Sequence, residues 1–342
     1  MTRNFTRRRF IGASAAMTAG MTAGVFAAAR SSFQTASAQT MESEAFKTRI
    51  FKAAICSGIP TSEVLEPMAE AGFNGVETMA WNTTPQKAAA ARVIAEKFGM
   101  RIHSVMRGWA EFNHTDADAR QKTIDATATS IRAAAAYGAD AILLVPCRIG
   151  GMAMPAPWDF ELDFDPETLM LNKVVAGDNA PYKDYIEAQN RSTKLSIEAI
   201  NGLIPLAAEL GVVIAVENVW NNLWVKPEFL AAFVRSFDNI WVRTYFDIGN
   251  HTRYCKAEDW IMACGKTLIK LHCKDFKNDR SKDSGGDWKH LHEGSVNWPA
   301  VRKCLEAVNY NGWMTDESGA PADAELARRM DAIVAGKQLT IE

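Results

Sequence analysis

Close-set cysteines, a glycine-rich phosphate loop, a basic run in the body and an abundance of histidine are all missing from this sequence. The six cysteines, Cys56, Cys147, Cys255, Cys264, Cys273 and Cys304, show no framework spacing, so a disulfide-stapled fold is excluded and free thiols are expected. The first strand candidate runs into Cys56-Ser-Gly-Ile-Pro60 rather than a G-x-G-x-x-G turn, which argues against a dinucleotide-binding open sheet. The weakly apolar stretch from Ala13 to Ala29 is too short and too rich in Gly, Ser and Thr for a membrane span.

That stretch instead completes a leader. Thr6-Arg7-Arg8-Arg9-Phe10-Ile11-Gly12 is a basic n-region with a twin arginine, and Ala36-Ser37-Ala38 is a small-residue cleavage pattern. A twin-arginine signal over residues 1–38, a linker over 39–50 and a single body over 51–342 are therefore expected. The expected location is periplasmic, with no stable membrane insertion after cleavage. Removing the five leader arginines takes the formal charge from −2 to −7. A body that acidic is a poor nucleic-acid partner.

What is present is a repeated grammar. Val212-Val-Ile-Ala-Val-Glu-Asn218 is apolar on both faces until it meets a carboxylate, as a parallel strand covered by helices would be. The same pattern ends Arg243-Thr-Tyr-Phe-Asp-Ile-Gly249, Leu268-Ile-Lys-Leu-His-Cys-Lys-Asp275 and Gly312-Trp-Met-Thr-Asp-Glu-Ser-Gly319. Strands are expected also at 51–57, 75–80, 101–106 and 141–146, each followed by an amphipathic helix. A long segment over about 147–190, rich in proline and aromatics, reads as a lid or part of a site. The helix after it is expected from about Arg191. Eight strand–helix units in this length predict an α/β fold, a (β/α)₈ TIM barrel.

A barrel opens all its strand ends onto one face. Glu217, Asp247, His272 and Glu317 would then come from strands five to eight and share one side of the mouth. Three carboxylates and an imidazole suit one hard divalent cation, Mn²⁺ before Mg²⁺, Co²⁺ or Zn²⁺. For any one of them alone, an ordinary cap or polar terminus is the commoner role.

The sequence resembles the xylose-isomerase-like barrel superfamily, in its sugar isomerase and epimerase branch with the ketose 3-epimerases. The resemblance rests on Val216-Glu217-Asn218, Phe246-Asp247-Ile-Gly-Asn-His251, Leu271-His272-Cys-Lys-Asp275, Glu293-Gly294-Ser-Val-Asn-Trp298 and Gly312-Trp-Met-Thr-Asp-Glu317. It implies one metal on the four residues, with Glu217 and Glu317 as acid and base on either side of a substrate carbon. It also implies an enediolate stabilised by the metal. The superfamily's DNA-repair branch would need several zinc ions, and six histidines with an acidic body do not supply them.

Around this set, His103, Asn250, His251, Lys274, Trp109 and Trp220 are the expected substrate contacts. His103 is placed at the end of strand three, and a packed, hydrogen-bonded histidine is the alternative. Asn250 falls at the spacing where the family has a histidine and His251 lies one further on, so either can face the mouth. Glu77 would reach the site or pair with Lys274; Arg107 would bind an anionic substituent or a neighbouring acid. Trp81, Trp109, Trp158, Trp220, Trp224 and Trp288 all follow strands and should rim the mouth, though some would cap the core. The expected activity is isomerisation or epimerisation of a non-phosphorylated sugar or keto-sugar derivative, with a lyase on the same metal as the alternative. The expected partner is a small carbohydrate, and a homo-oligomer is compatible with the chain.

Overall fold

The computed structural model describes residues 46–341; the leader expected over 1–38 lies outside them. Eight parallel strands close on themselves. The first four are β1 (Ile50–Cys56), β2 (Gly75–Thr78), β3 (Arg101–Trp109) and β4 (Ala141–Val145), separated by α1 (Ser62–Glu70), α2 (Pro85–Lys97) and α3 (Ala117–Tyr137). A short antiparallel pair, β5 (Asp163–Phe164) and β6 (Leu171–Lys173), then stands outside the barrel before α4 (Lys183–Leu210). The second half alternates β7 (Val213–Glu217), α5 (Pro227–Arg235), β8 (Val242–Asp247), α6 (Ala257–Cys264) and β9 (Leu268–Cys273). It ends with the hairpin β10 (Asp275–Asn278) and β11 (Gly286–Lys289), then α7 (Trp298–Ala307), β12 (Gly312–Asp316) and α8 (Ala324–Val334). The barrel order is β1-β12-β9-β8-β7-β4-β3-β2, the (β/α)₈ arrangement.

Two apolar layers hold it. Between strands and helices lies the main core, with Ile142, Leu144, Ile214, Val216, Phe246 and Leu271 facing outward onto the helices. Inside the barrel, Ala141, Leu143, Val145, Ala215 and Tyr245 form a smaller cluster on one side. Side chains alternate along each strand, so the residues opposite Ile214 and Val216 on β7 point inward and end at Glu217. The floor is filled by Trp313. A Cβ on Gly75 would stand 2.8 Å from that indole and 2.2 Å from the Arg101 carbonyl, so only glycine fits there.

Four boundaries differ from the sequence expectation. The helix expected from about Arg191 begins at Lys183, because its buried stripe, Tyr185, Gln189, Ser192, Thr193 and Ser196, is mostly polar and hides the helical period. The irregular insertion is correspondingly shorter and contains the β5–β6 pair. The residues after β9 add a hairpin, β10–β11, to the eight expected strands. Residues 47–48, expected in a linker, are tied down: the Lys47 and Thr48 amides donate to Glu306, and Arg302 Nη2 donates to the Thr48 carbonyl at 2.9 Å.

The six cysteines are unbridged, as their spacing suggests. Among the described residues no helix is long and apolar enough to cross a membrane.

Candidate metal centre and barrel mouth

Glu217 closes β7, Asp247 closes β8 and His272 is the fifth residue of β9. Glu317 follows β12, and its N–H extends the ladder to the Cys273 carbonyl at 3.0 Å. Each side chain comes to the mouth because adjacent staves are in register: Asp247 pairs with His272, and His272 with Thr315, two residues before Glu317. One ligand-type atom from each of the four lies within 4.8 Å of the other three. His272 Nδ1 is 3.2 Å from Glu217 Oε1 and 3.1 Å from Glu317 Oε2. Adjacent donors around an octahedral ion at about 2.1 Å lie ~3.0 Å apart, so these edges fit one small divalent cation. Asp247 adds a second sign: its Oδ1 accepts the Asn250 N–H at 2.6 Å, while Oδ2 is buried without a hydrogen-bond partner. Three carboxylates, one imidazole and an orphan oxygen are a donor set that a cation would complete.

A fifth residue sets the histidine. Glu77 points inward from β2, and its Oε2 accepts a hydrogen bond from His272 Nε2 at 2.6 Å across the barrel. Its Oε1 accepts Ser104 Oγ at 2.7 Å, so both oxygens are held. With Glu77 on Nε2, Nδ1 is the nitrogen that faces the other candidate ligands, the usual way a carboxylate orients a metal-binding imidazole. Glu77 therefore meets His272, not Lys274. Its inward position in Gly75-Val-Glu-Thr78 was visible as strand alternation; its partner, far away in sequence, was not.

The electrostatics follow from burial. Desolvation lifts Glu217 to about 7, with the neighbouring Glu317 adding to the rise and His272 opposing it. Desolvation likewise lifts Asp247 to about 6 against the attraction of Lys274. For Glu317 burial is outweighed: His272 and the Lys274 ammonium, 2.7 Å from Oε2, hold its carboxyl well below the usual range. Burial works against the charge of His272, but Tyr245, Glu317 and Glu77 together raise it.

The remaining expected contacts divide. Lys274 is in the site, 3.5 Å from Asp247 Oδ2 as well as on Glu317. His103 is not at a strand end, because β3 runs on to Trp109. Its ring is fully buried below the ligands, stacked on Trp313 at 4.5 Å with Nε2 2.9 Å from Thr315 Oγ1. It is the packed, hydrogen-bonded alternative. Neither Asn250 nor His251 turns to the ligands. Asn250 Nδ2 donates to the Asn218 carbonyl at 2.8 Å, and His251 Nε2 lies 2.9 Å from the Val219 carbonyl with its ring against Trp260 of α6. Burial drops His251 to about 3, so it is neutral.

Asn218 explains part of the motif it belongs to. Its amide clamps the backbone of Asp247 from both sides, accepting N–H at 2.6 Å and donating to C=O at 2.8 Å. Asp275 explains another part. Its carboxylate accepts from the Trp298 indole and from the amides of Phe276, His292 and Val296. A Cβ on Gly294 would sit 2.0 Å from that carboxylate, which is why the turn before Trp298 carries glycine.

Five of the six expected rim tryptophans carry a cation. Arg107 lies 4.6 Å over Trp81, Arg148 4.2 Å over Trp109 and Arg253 3.8 Å over Trp220. Lys274 lies 4.9 Å from Trp288 and Arg280 5.7 Å from Trp158. Trp224 is the exception; it is buried against Phe233, with its N–H on Thr193 Oγ1 at 3.2 Å. It caps the core.

The family model described as Xylose isomerase-like TIM barrel matches residues 65–333. The chain belongs to that family. Among curated proteins none matches by sequence. Solved structures share the family's barrel at low identity. A D-tagatose 3-epimerase-like protein superposes with TM-score 0.62 and 16% identity over 83% of this chain and 97% of its own. The 3-keto-D-glucoside 4-epimerase from E. coli gives 0.59 and 14% over 83% and 99%. A mannonate dehydratase from Streptococcus suis gives 0.60 and 15% over 86% and 98%. Identities this low establish a common fold, while the site is argued from this chain's own residues.

Proposed function

We propose that the protein is a divalent-metal-dependent isomerase or epimerase of a non-phosphorylated sugar or keto-sugar derivative. The observation that carries the reading is the convergence of Glu217, Asp247, His272 and Glu317, with His272 Nδ1 within 3.2 Å of both glutamates. Structural neighbours that are sugar epimerases support it. A cation bound there, Mn²⁺ by preference of the hard donor set, would act as a Lewis acid on a ketose carbonyl and neighbouring hydroxyl.

The chain's own part is proton handling. Glu217 and Glu317 come from different staves and meet beside one imidazole, so a substrate carbon between them is reached from two sides. One removes the proton next to the carbonyl and the other returns it. In the metal-free site their environments differ, Glu217 lifted to about 7 by burial and Glu317 held low by His272 and Lys274. Lys274 holds the Glu317 carboxylate at 2.7 Å and keeps it ionised. Glu77 keeps His272 in the metal-binding tautomer. We place the enzyme outside the cytoplasm on the strength of its twin-arginine leader, which agrees with a substrate lacking phosphate.

The test is incubation of the Mn²⁺-loaded protein with a panel of ketoses and keto-glycosides in D₂O. Deuterium is expected at the carbon next to the carbonyl for at least one sugar. No incorporation with any of them sinks the reading. A lyase is the second reading, and Lys274 favours it as a further proton donor beside Glu317. Product mass separates the two: conserved in one, reduced in the other.

A further inference from the structure

The ordered insertion after β4 builds a cleft that the metal centre does not use. It encloses about 530 Å³, within the ~300–1,000 Å³ range of small-molecule sites. One wall is Met152, Met154 and Trp158 from the insertion; the other is Arg253 and Tyr254 after β8 and Arg280 from the β10–β11 hairpin. The insertion is fastened down at this point. Asn222 Nδ2 donates to the Ile149 carbonyl at 2.8 Å, and the Tyr185 hydroxyl donates to the Asn222 carbonyl at 2.8 Å. Gly285 lies beneath both walls: a Cβ there would be 3.3 Å from Arg253 and 3.8 Å from Trp158.

Its charge is the informative part. Arg253 lies over Trp220 with Nη2 donating to the Tyr254 hydroxyl at 2.8 Å and Nη1 to the Ser284 carbonyl at 3.3 Å. Its Nε is buried with no partner. Arg280 rests over Trp158. Neither guanidinium pairs with a carboxylate among the described residues, although the body is acidic. Lys282 on the lining is neutralised by Asp287, which leaves two arginines against the single Asp283. A guanidinium over an indole keeps its remaining N–H donors for an anion, and two such groups on one wall suit a carboxylate or sulfate. The same wall leads to the metal set: Trp220 is 5.0 Å from Trp288, over which lies Lys274, bonded to Glu317.

We propose that this cleft binds an anionic group, a carboxylate or a sulfate, on the part of the substrate remote from the reacting carbon. The inference rests on the reading of the mouth as a sugar site, and it narrows the substrate to an acidic glycoside or sugar-acid conjugate.

The test is calorimetric titration of the Mn²⁺-loaded protein with two matched probes, phenyl β-D-glucuronide and phenyl β-D-glucoside, which differ in one carboxylate. Wild type is expected to prefer the glucuronide by about tenfold or more. The double variant R253Q/R280Q is expected to lose that preference while binding Mn²⁺ with unchanged stoichiometry. Equal affinities in wild type, or glucuronide binding weaker than about 1 mM, overturn the proposal. So does a preference that survives in the double variant, or one that vanishes when a chelator removes the metal, since the anion then sits on the cation. A preference that persists while every sugar fails the D₂O test keeps the cleft and rejects the isomerase reading.

Discussion

The barrel holds two charged layers on its axis, and they are built differently. At the floor, Lys270 Nζ lies 2.5 Å from Asp140 Oδ1 and donates to the His103 carbonyl, while Arg101 adds a second cation near Asp140. The one buried charge there, on Lys270, has a carboxylate partner. At the mouth, Glu77, Glu217, Asp247 and Glu317 face one lysine and one histidine, and Asp247 Oδ2 has no hydrogen bond, only the Lys274 ammonium at 3.5 Å. A structural ion pair satisfies its members. The mouth instead gathers more carboxylates than cations, a burial cost that protons or a bound cation would relieve. That difference is the physical ground for calling one layer packing and the other a site.

The strongest way to break the comparison is to neutralise a mouth carboxylate. Glu317→Gln or Glu217→Gln should lower solvent exchange into substrate by ~10²–10⁴-fold. Mass spectrometry of the sugar after incubation in D₂O checks it, and full exchange in a variant would remove that glutamate from the mechanism. Glu77→Gln comes next. Loss of a carboxylate behind a metal-binding imidazole typically weakens metal affinity by ~10–100-fold. Isothermal titration with Mn²⁺ should show this without loss of secondary structure, and unchanged affinity would make Glu77 mere packing.

Metal should also stabilise the fold. At about a hundredfold excess over Kd, a ligand that binds only the native state adds ~2.7 kcal/mol, so Mn²⁺ should raise the Tm and a chelator reverse it. Lys270→Met sharpens the contrast from the other layer. It should cost about 1–3 kcal/mol in urea unfolding, yet leave metal stoichiometry as in wild type. Altered metal content would merge the two layers into one network.

The smallest effect is on pH. Glu217 and Asp247 are raised to about 7 and about 6, and His272 is raised too, so the metal-free native state keeps protons that the unfolded chain has released. Through these three groups stability falls as pH climbs from about 5 to about 8, against the opposite contribution of His251, which is neutral in the native state. Glu317, held low, acts only below this window, where its stabilisation fades as pH falls. Mn²⁺ displaces those protons, so its apparent affinity should rise over the same interval. Thermal melts with and without Mn²⁺ should diverge as pH rises; parallel curves would contradict the shifts.

Much of this was legible in the chain. Alternation of two-sided apolar strands with amphipathic helices is a local signal, and it gave eight barrel strands because each strand's burial is written in its own residues. The four ligand candidates were legible for a related reason: strand parity and a shared strand end put Glu217, Asp247, His272 and Glu317 on one face. The polar stripe of α4 was not, since Gln189, Ser192 and Thr193 carry no apolar period. His103, Asn250 and His251 were misplaced because a short polar side chain near a strand end has two directions available. Only the neighbours, Trp313, Asn218 and Trp260, choose between them.

By itself, then, the sequence determined the barrel and the identity of the candidate donor set, because both depend on patterns within single elements. Tertiary structure alone decided what each donor meets. Glu77 reaches His272 across the barrel, 195 residues apart in sequence. The insertion meets Arg253 and Arg280 only after the barrel has closed. Such pairings follow from closure and shear, which no local window of sequence contains.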